Sequence, residues 1–195
     1  MLFSNVSFAH VKDIKQRFMT CRHKIIISSH TTPFCDGINL HNALLKLGVD
    51  NHMFYTKCTS WLFPLFPFLR KWCIDIMQGG FVEGQVTALA SEADGFCRVI
   101  FPSGGRFKWK TGFYYLAKGL RAKGIPVEIF IIGIDYKQQS IVIDSVLDID
   151  KPDTETISDA QMRLRRYSPS CLYYLLNAIG YGCDAHPPMT FASTQ

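Results

Sequence analysis

"KIIISSHTTPFCDG" occupies residues 24–37. Three successive isoleucines followed by two serines read as a strand over 24–29, buried on both faces, because a β-branched run has no polar side to offer water. The strand ends at His30, and Asp36 follows beyond a proline-containing turn. A buried strand that feeds a helix through such a loop is the building unit of α/β sheets, whose ligands collect at those loops. A histidine there, with a carboxylate in reach, can act as a general base. The carboxylate would fix the tautomer and stabilise the imidazolium that forms. A polar loop residue is the plainer reading of the same histidine.

Outward from this stretch, strands and helices alternate. Phe8, Val11, Ile14 and Phe18 recur near helical spacing, which predicts an amphipathic N-terminal helix over 7–20. Leu40, Ala43, Leu44 and Leu47 form a helical stripe that stops at Gly48, a good C-cap. "HMFYT" (52–56), "FCRVIF" (96–101), "VEIFIIGI" (127–134) and "SIVIDSV" (140–146) read as strands, with "DYKQQ" as the turn between the last two. Residues 82–93, 155–166 and 169–179 suit helices, as does the stretch that begins at Thr111, a plausible N-cap, with Phe113, Leu116, Ala117 and Leu120 on one side. No repeat or linker divides the chain. The expectation is one α/β domain over 1–183, with a mostly parallel sheet flanked by helices, and a loose tail over 184–195.

Composition narrows the function classes. With 195 residues, 48% hydrophobic and 19% charged, the chain can bury a sizeable core. Seven dispersed cysteines without a CxxC pair suggest neither a zinc site nor a disulfide framework, and they suit a reducing cytosol. The charged N-terminus does not look like an export signal. "WLFPLFPFL" (61–69) is too short to span a bilayer but suits its interface, with Trp61, Phe63 and Phe66 as membrane-contact candidates; core packing is the rival reading. The net charge is +5, and Arg106, Lys108, Lys110, Lys118, Arg121 and Lys123 form a block without an acidic residue. That block suits an anionic partner or simply a solvated helix face. No nucleic-acid motif accompanies it.

"IFPSGGRFKWK" (100–110) is the second candidate element. Another buried strand ends at Pro102, and Ser103, Gly104 and Gly105 allow backbone N–H groups to approach an anion. Arg106 supplies a forked cation for phosphate, with Lys108 and Lys110 as support. The stretch lacks the pattern of a nucleotide-binding P-loop.

Taken in order, "SHTTPFCD" (29–36), "YTKCTSWLFPLFPFLRKW" (55–72), "VIFPSGGR" (99–106) and "KWKTGFYYLAKGLRAKGIPVEIFIIGIDYKQQSIVI" (108–143) resemble the blocks of the lysophospholipid acyltransferase family. The first resembles the His–x4–Asp block and the third the FPEGTR block. The departures are specific. Five residues separate His30 from Asp36, so by strict count Cys35 holds the acid position. Asp36 is preferred, because the loop at Pro33 can absorb a residue and a neutral thiol orients an imidazole poorly. Ser103 stands for the family's Glu and Gly105 for its Thr, and the glycine–arginine block is absent near residues 73–78.

The resemblance implies a cytoplasmic, peripheral membrane enzyme that moves an acyl group from acyl-CoA or an acyl-carrier protein to the hydroxyl of a lysophospholipid at an anionic membrane surface. His30 would be the base, Asp36 its orienter and Arg106 the phosphate ligand, with no metal or cofactor needed. Two alternatives stand beside it. One is a non-catalytic lipid-binding descendant of the same fold. The other is a thiol hydrolase with Cys35 as nucleophile and His30 as its base.

Overall fold

The isoleucine run lies where its composition demands, in the middle of a sheet. The structure is a computed structural model, and it describes residues 3, 5–9, 11, 13–29, 35–56, 71–75, 81–92, 94–102, 109–136 and 138–167. In chain order these form β1 (Asn5–Phe8), α1 (Ile14–Thr20), β2 (His23–Ser28), α2 (Cys35–Lys46), β3 (His52–Thr56), β4 (Cys73–Asp75), α3 (Phe81–Ala90), β5 (Phe96–Ile100), α4 (Gly112–Ala122), β6 (Val127–Asp135), β7 (Ser140–Leu147) and α5 (Asp153–Arg165).

The sheet order is β1-β7-β6-β2-β5-β3-β4. β2 pairs in parallel with β5 on one side and β6 on the other; β3 continues the parallel set to β4. Among the described residues only the β6–β7 pairing is antiparallel, and β1 then joins β7 in parallel. This is a single α/β domain with a mixed, mostly parallel sheet.

Side chains alternate across the sheet with the period of two that strands impose. Ile25, Ile27, Ile129 and Ile131 pack against Val86 and Leu89 of α3, Phe113, Leu116 and Leu120 of α4, and Ala160 and Leu164 of α5. Ile26, Val99, Phe130 and Ile132 pack on the opposite face against Ile14 and Phe18 of α1 and Leu40, Ala43 and Leu44 of α2. Helices on both faces explain why the central strands are apolar throughout. α2 ends as its sequence foretells: Gly48 takes φ +73°, and the N–H of Val49 bonds back to Leu44 O at 2.9 Å.

The N-terminus corrects the expectation of one amphipathic helix over 7–20. Residues 5–8 are an edge strand, and the helix is confined to Ile14–Thr20. Asp13 adopts φ +64°, a left-handed conformation that no helix passes through. Phe8 and Phe18 do share a surface, with ring centroids 6.0 Å apart. They meet across a strand–helix corner rather than along one helix. The apolar spacing was genuine, but tertiary contact produced it.

The C-terminal half is fastened by Tyr167. Its hydroxyl donates to Asp144 of β7 at 2.7 Å, and its ring packs against Gly133, where an added Cβ would collide with it. The expected helix over 169–179 and the tail over 184–195 lie outside the described residues.

Candidate functional site

The parallel strands β2, β5, β3 and β6 all deliver their C-terminal ends to one edge of the sheet. Ile27 of β2 pairs with Ile100 of β5, and Ser28 pairs with Ile132 of β6. Both candidate loops therefore leave neighbouring strands side by side, one after Ser29 and the other after Pro102. His30 lies outside the described residues, as do Ser103, Gly104, Gly105, Arg106 and Lys108, and the membrane-contact candidates Trp61, Phe63 and Phe66. Asp36, Cys35 and Lys110 are described.

Asp36 stands in the first turn of α2 and is fully buried. An ionised carboxylate away from water must find hydrogen-bond donors. Tyr136, immediately after β6, supplies one: its hydroxyl donates to Asp36 Oδ1. Tyr136 is held in turn by Phe3, whose ring meets it edge-on with centroids 5.0 Å apart. The N–H of Phe3 donates to Oδ1 of Asn39 at 3.0 Å, one helical turn beyond Asp36. The inward polar face of α2, Asp36 and Asn39, is thus clasped by Phe3, ahead of β1, and by Tyr136, just after β6. Cys35 is exposed, so the two residues that compete for the acid position point in opposite senses: the carboxylate is inside and the thiol outside.

At the end of β2, the hydroxyls of Ser28 and Ser29 are buried and meet no hydrogen-bond partner among the described residues. The second loop is tied at its base. The N–H of Lys110 donates to Pro102 O at 3.0 Å, which closes the described ends around residues 103–108. The side chain of Lys110 is exposed.

Beside this base an apolar crevice of about 190 Å³ opens between the sheet and the helices. Tyr55, Val82, Ile100, Pro102, Phe113 and Leu116 line it, and Lys110 stands on its wall. Cavities of about 150 Å³ with apolar walls accept benzene, so this one has room for a hydrocarbon segment of at least that size. Tyr55 donates to Gln85 Oε1 at 2.5 Å, and burial pushes its phenol up to about 12, so the hydroxyl stays neutral at physiological pH.

Two cations of the basic block have acidic partners. Lys118 pairs with Asp153 at 2.7 Å and Arg121 with Asp150 at 2.8 Å. Both cations join α4 to the start of α5, along the helix and away from the edge. Of the thiols, Cys97 is fully buried and is pushed up to about 12 by that burial, which leaves it inert.

Tyr136 and Asn39 escape a reading of sequence alone. The signal for Tyr136 is its position in "DYK", directly after a central strand whose end adjoins that of β2. The signal for Asn39 is its spacing of three from Asp36 on a helix, which gives both the same face. No family model matches the chain, and no curated protein matches it. Among the described residues, no helix is long and apolar enough to cross a membrane.

Proposed function

We propose that the protein is a peripheral membrane acyltransferase that moves an acyl group from a thioester, carried by coenzyme A or a carrier protein, to the hydroxyl of a lysophospholipid. The observation that carries this reading is the buried carboxylate of Asp36 at the sheet edge where the strands ahead of His30 and Arg106 end next to each other. His30 takes the proton of the acceptor hydroxyl as its oxygen attacks the thioester carbonyl. The C–S bond then breaks, and the departing thiolate takes the proton back from the imidazolium. Asp36 orients the imidazole and offsets its charge while it is protonated. Arg106 and Lys110 bind the acceptor phosphate as paired cations. The apolar crevice suits part of the acyl chain, with Lys110 among its lining residues. Trp61, Phe63 and Phe66 bring the enzyme to an anionic bilayer surface.

The test is acyl transfer from a labelled acyl thioester to lysophosphatidate in mixed micelles, with wild type compared with His30→Ala and Asp36→Asn. A second reading rests on its own observation. Tyr136 satisfies Asp36 within the fold, as it would in a lipid-binding descendant that no longer catalyses. That reading expects saturable binding of lysophospholipid and no turnover, with both variants binding as wild type does.

A further inference from the structure

Apart from the sheet edge, two imidazoles meet between α2 and β3. Nδ1 of His41 lies 2.7 Å from Nε2 of His52, and Nδ1 of His52 lies 2.7 Å from the carbonyl oxygen of Val49. A carbonyl only accepts, so His52 carries its proton on Nδ1 and presents a lone pair at Nε2. An imidazole anchored in this way by a backbone carbonyl has the tautomer and ring orientation that metal-binding histidines are given by their outer partners. In the metal-free pair, His41 Nδ1 donates to that lone pair.

We propose that His41 and His52 bind a divalent transition-metal ion between their facing ring nitrogens, with solvent completing the coordination and the ion joining α2 to β3. His41 becomes the second ligand when its proton moves from Nδ1 to Nε2, so the ring stays neutral and no proton is released. Metal–nitrogen bonds of about 2.0–2.1 Å in a tetrahedral site set the two nitrogens about 3.3 Å apart. The pair must therefore open by roughly 0.6 Å, and His41 is the ring that can move. His52 is buried at 1% exposure, whereas His41 is only partly covered and gives access from solvent. Imidazole donors select nickel, copper or zinc over calcium or magnesium. Asp36 lies five residues before His41 on the same helix, so an ion here would also steady the element that carries the buried carboxylate.

Trp72 provides the readout, because its ring centroid is 4.9 Å from that of His41. The untagged full chain would be titrated with Ni²⁺ at pH 7.5 while tryptophan fluorescence is followed. The expected result is saturable quenching that disappears in Trp72→Phe, and an affinity at least tenfold weaker in His41→Gln, with the circular dichroism of both variants unchanged. Absence of saturable quenching, or equal affinity in His41→Gln and wild type, would overturn the proposal. If His41→Gln does not fold, the imidazole NMR resonances of the wild type decide. Substoichiometric Ni²⁺ should broaden those of His41 and His52 first, and broadening of the other histidines instead would refute the site.

Discussion

Tyr136 and Asp36, a hundred residues apart in the chain, are joined by a hydrogen bond in which the phenol donates to a carboxylate with no exposed surface. Hydrogen bonds to charged groups contribute about 1.5–3 kcal/mol each. Tyr136→Phe keeps the ring against Phe3 and removes only the donor, so it should lower unfolding stability by roughly that amount in urea titrations. A loss below about 0.5 kcal/mol would mean that the carboxylate draws little from this bond.

The crevice makes a prediction about substrate choice. Val82 lines its wall and is only half-buried, so a larger side chain there narrows the crevice. Val82→Phe should shift preference toward shorter acyl thioesters, read as the ratio of kcat/KM for short and long donors. An unchanged ratio would remove the crevice from the acyl path.

The histidine pair predicts a pH dependence of stability. Burial lowers the folded-state pKa of both His41 and His52 below the ordinary 6.5. The unfolded chain therefore binds more protons in the window below 6.5, and stability rises with pH there. Expressed from the other side, the contribution is present above about pH 6.5 and is lost as pH falls toward the folded values. Denaturant midpoints at pH 7.5 and 5.5 should differ more for wild type than for His52→Asn, whose amide can still donate to Val49. Equal differences would place the pH sensitivity elsewhere.

Gly133 and Tyr167 predict a coupled pair. Gly133→Ala pushes a methyl group into the Tyr167 ring, which its bond to Asp144 holds in place. Overpacking of this kind costs about 1–3 kcal/mol. In a Tyr167→Ala background the cost should vanish, which a double-mutant cycle would detect as a coupling of the same size. Additive effects would show that the sheet, not the ring, resists the methyl.

The central sheet was legible because its chemistry is one-sided. An isoleucine run such as 25–27 can only be a strand covered on both faces, and the residues around "HMFYT" and "VEIFIIGI" carry the same message. Gly48 likewise announced the end of α2. What escaped were elements whose identity depends on distant partners. β1 is a four-residue edge strand that exists because β7 pairs with it, and β4 has only three residues. Phe8 and Phe18 mimicked a helical stripe by packing on each other from different elements. The buried state of Asp36 was also invisible, because its partner Tyr136 is adjacent in the sheet but a hundred residues away in the chain. The acidic partners of the basic block were hidden in the same way: Asp150 and Asp153, which pair with Arg121 and Lys118, lie some thirty residues downstream.

The most direct measurement is acyl transfer to lysophosphatidate by purified wild type and by His30→Ala, with folding checked by circular dichroism. A general base contributes about 10²–10⁴-fold in rate, so wild type should turn over acyl thioester and the variant should lose at least a hundredfold while it remains folded. No transfer by wild type, or transfer by His30→Ala at the wild-type rate, would contradict the account.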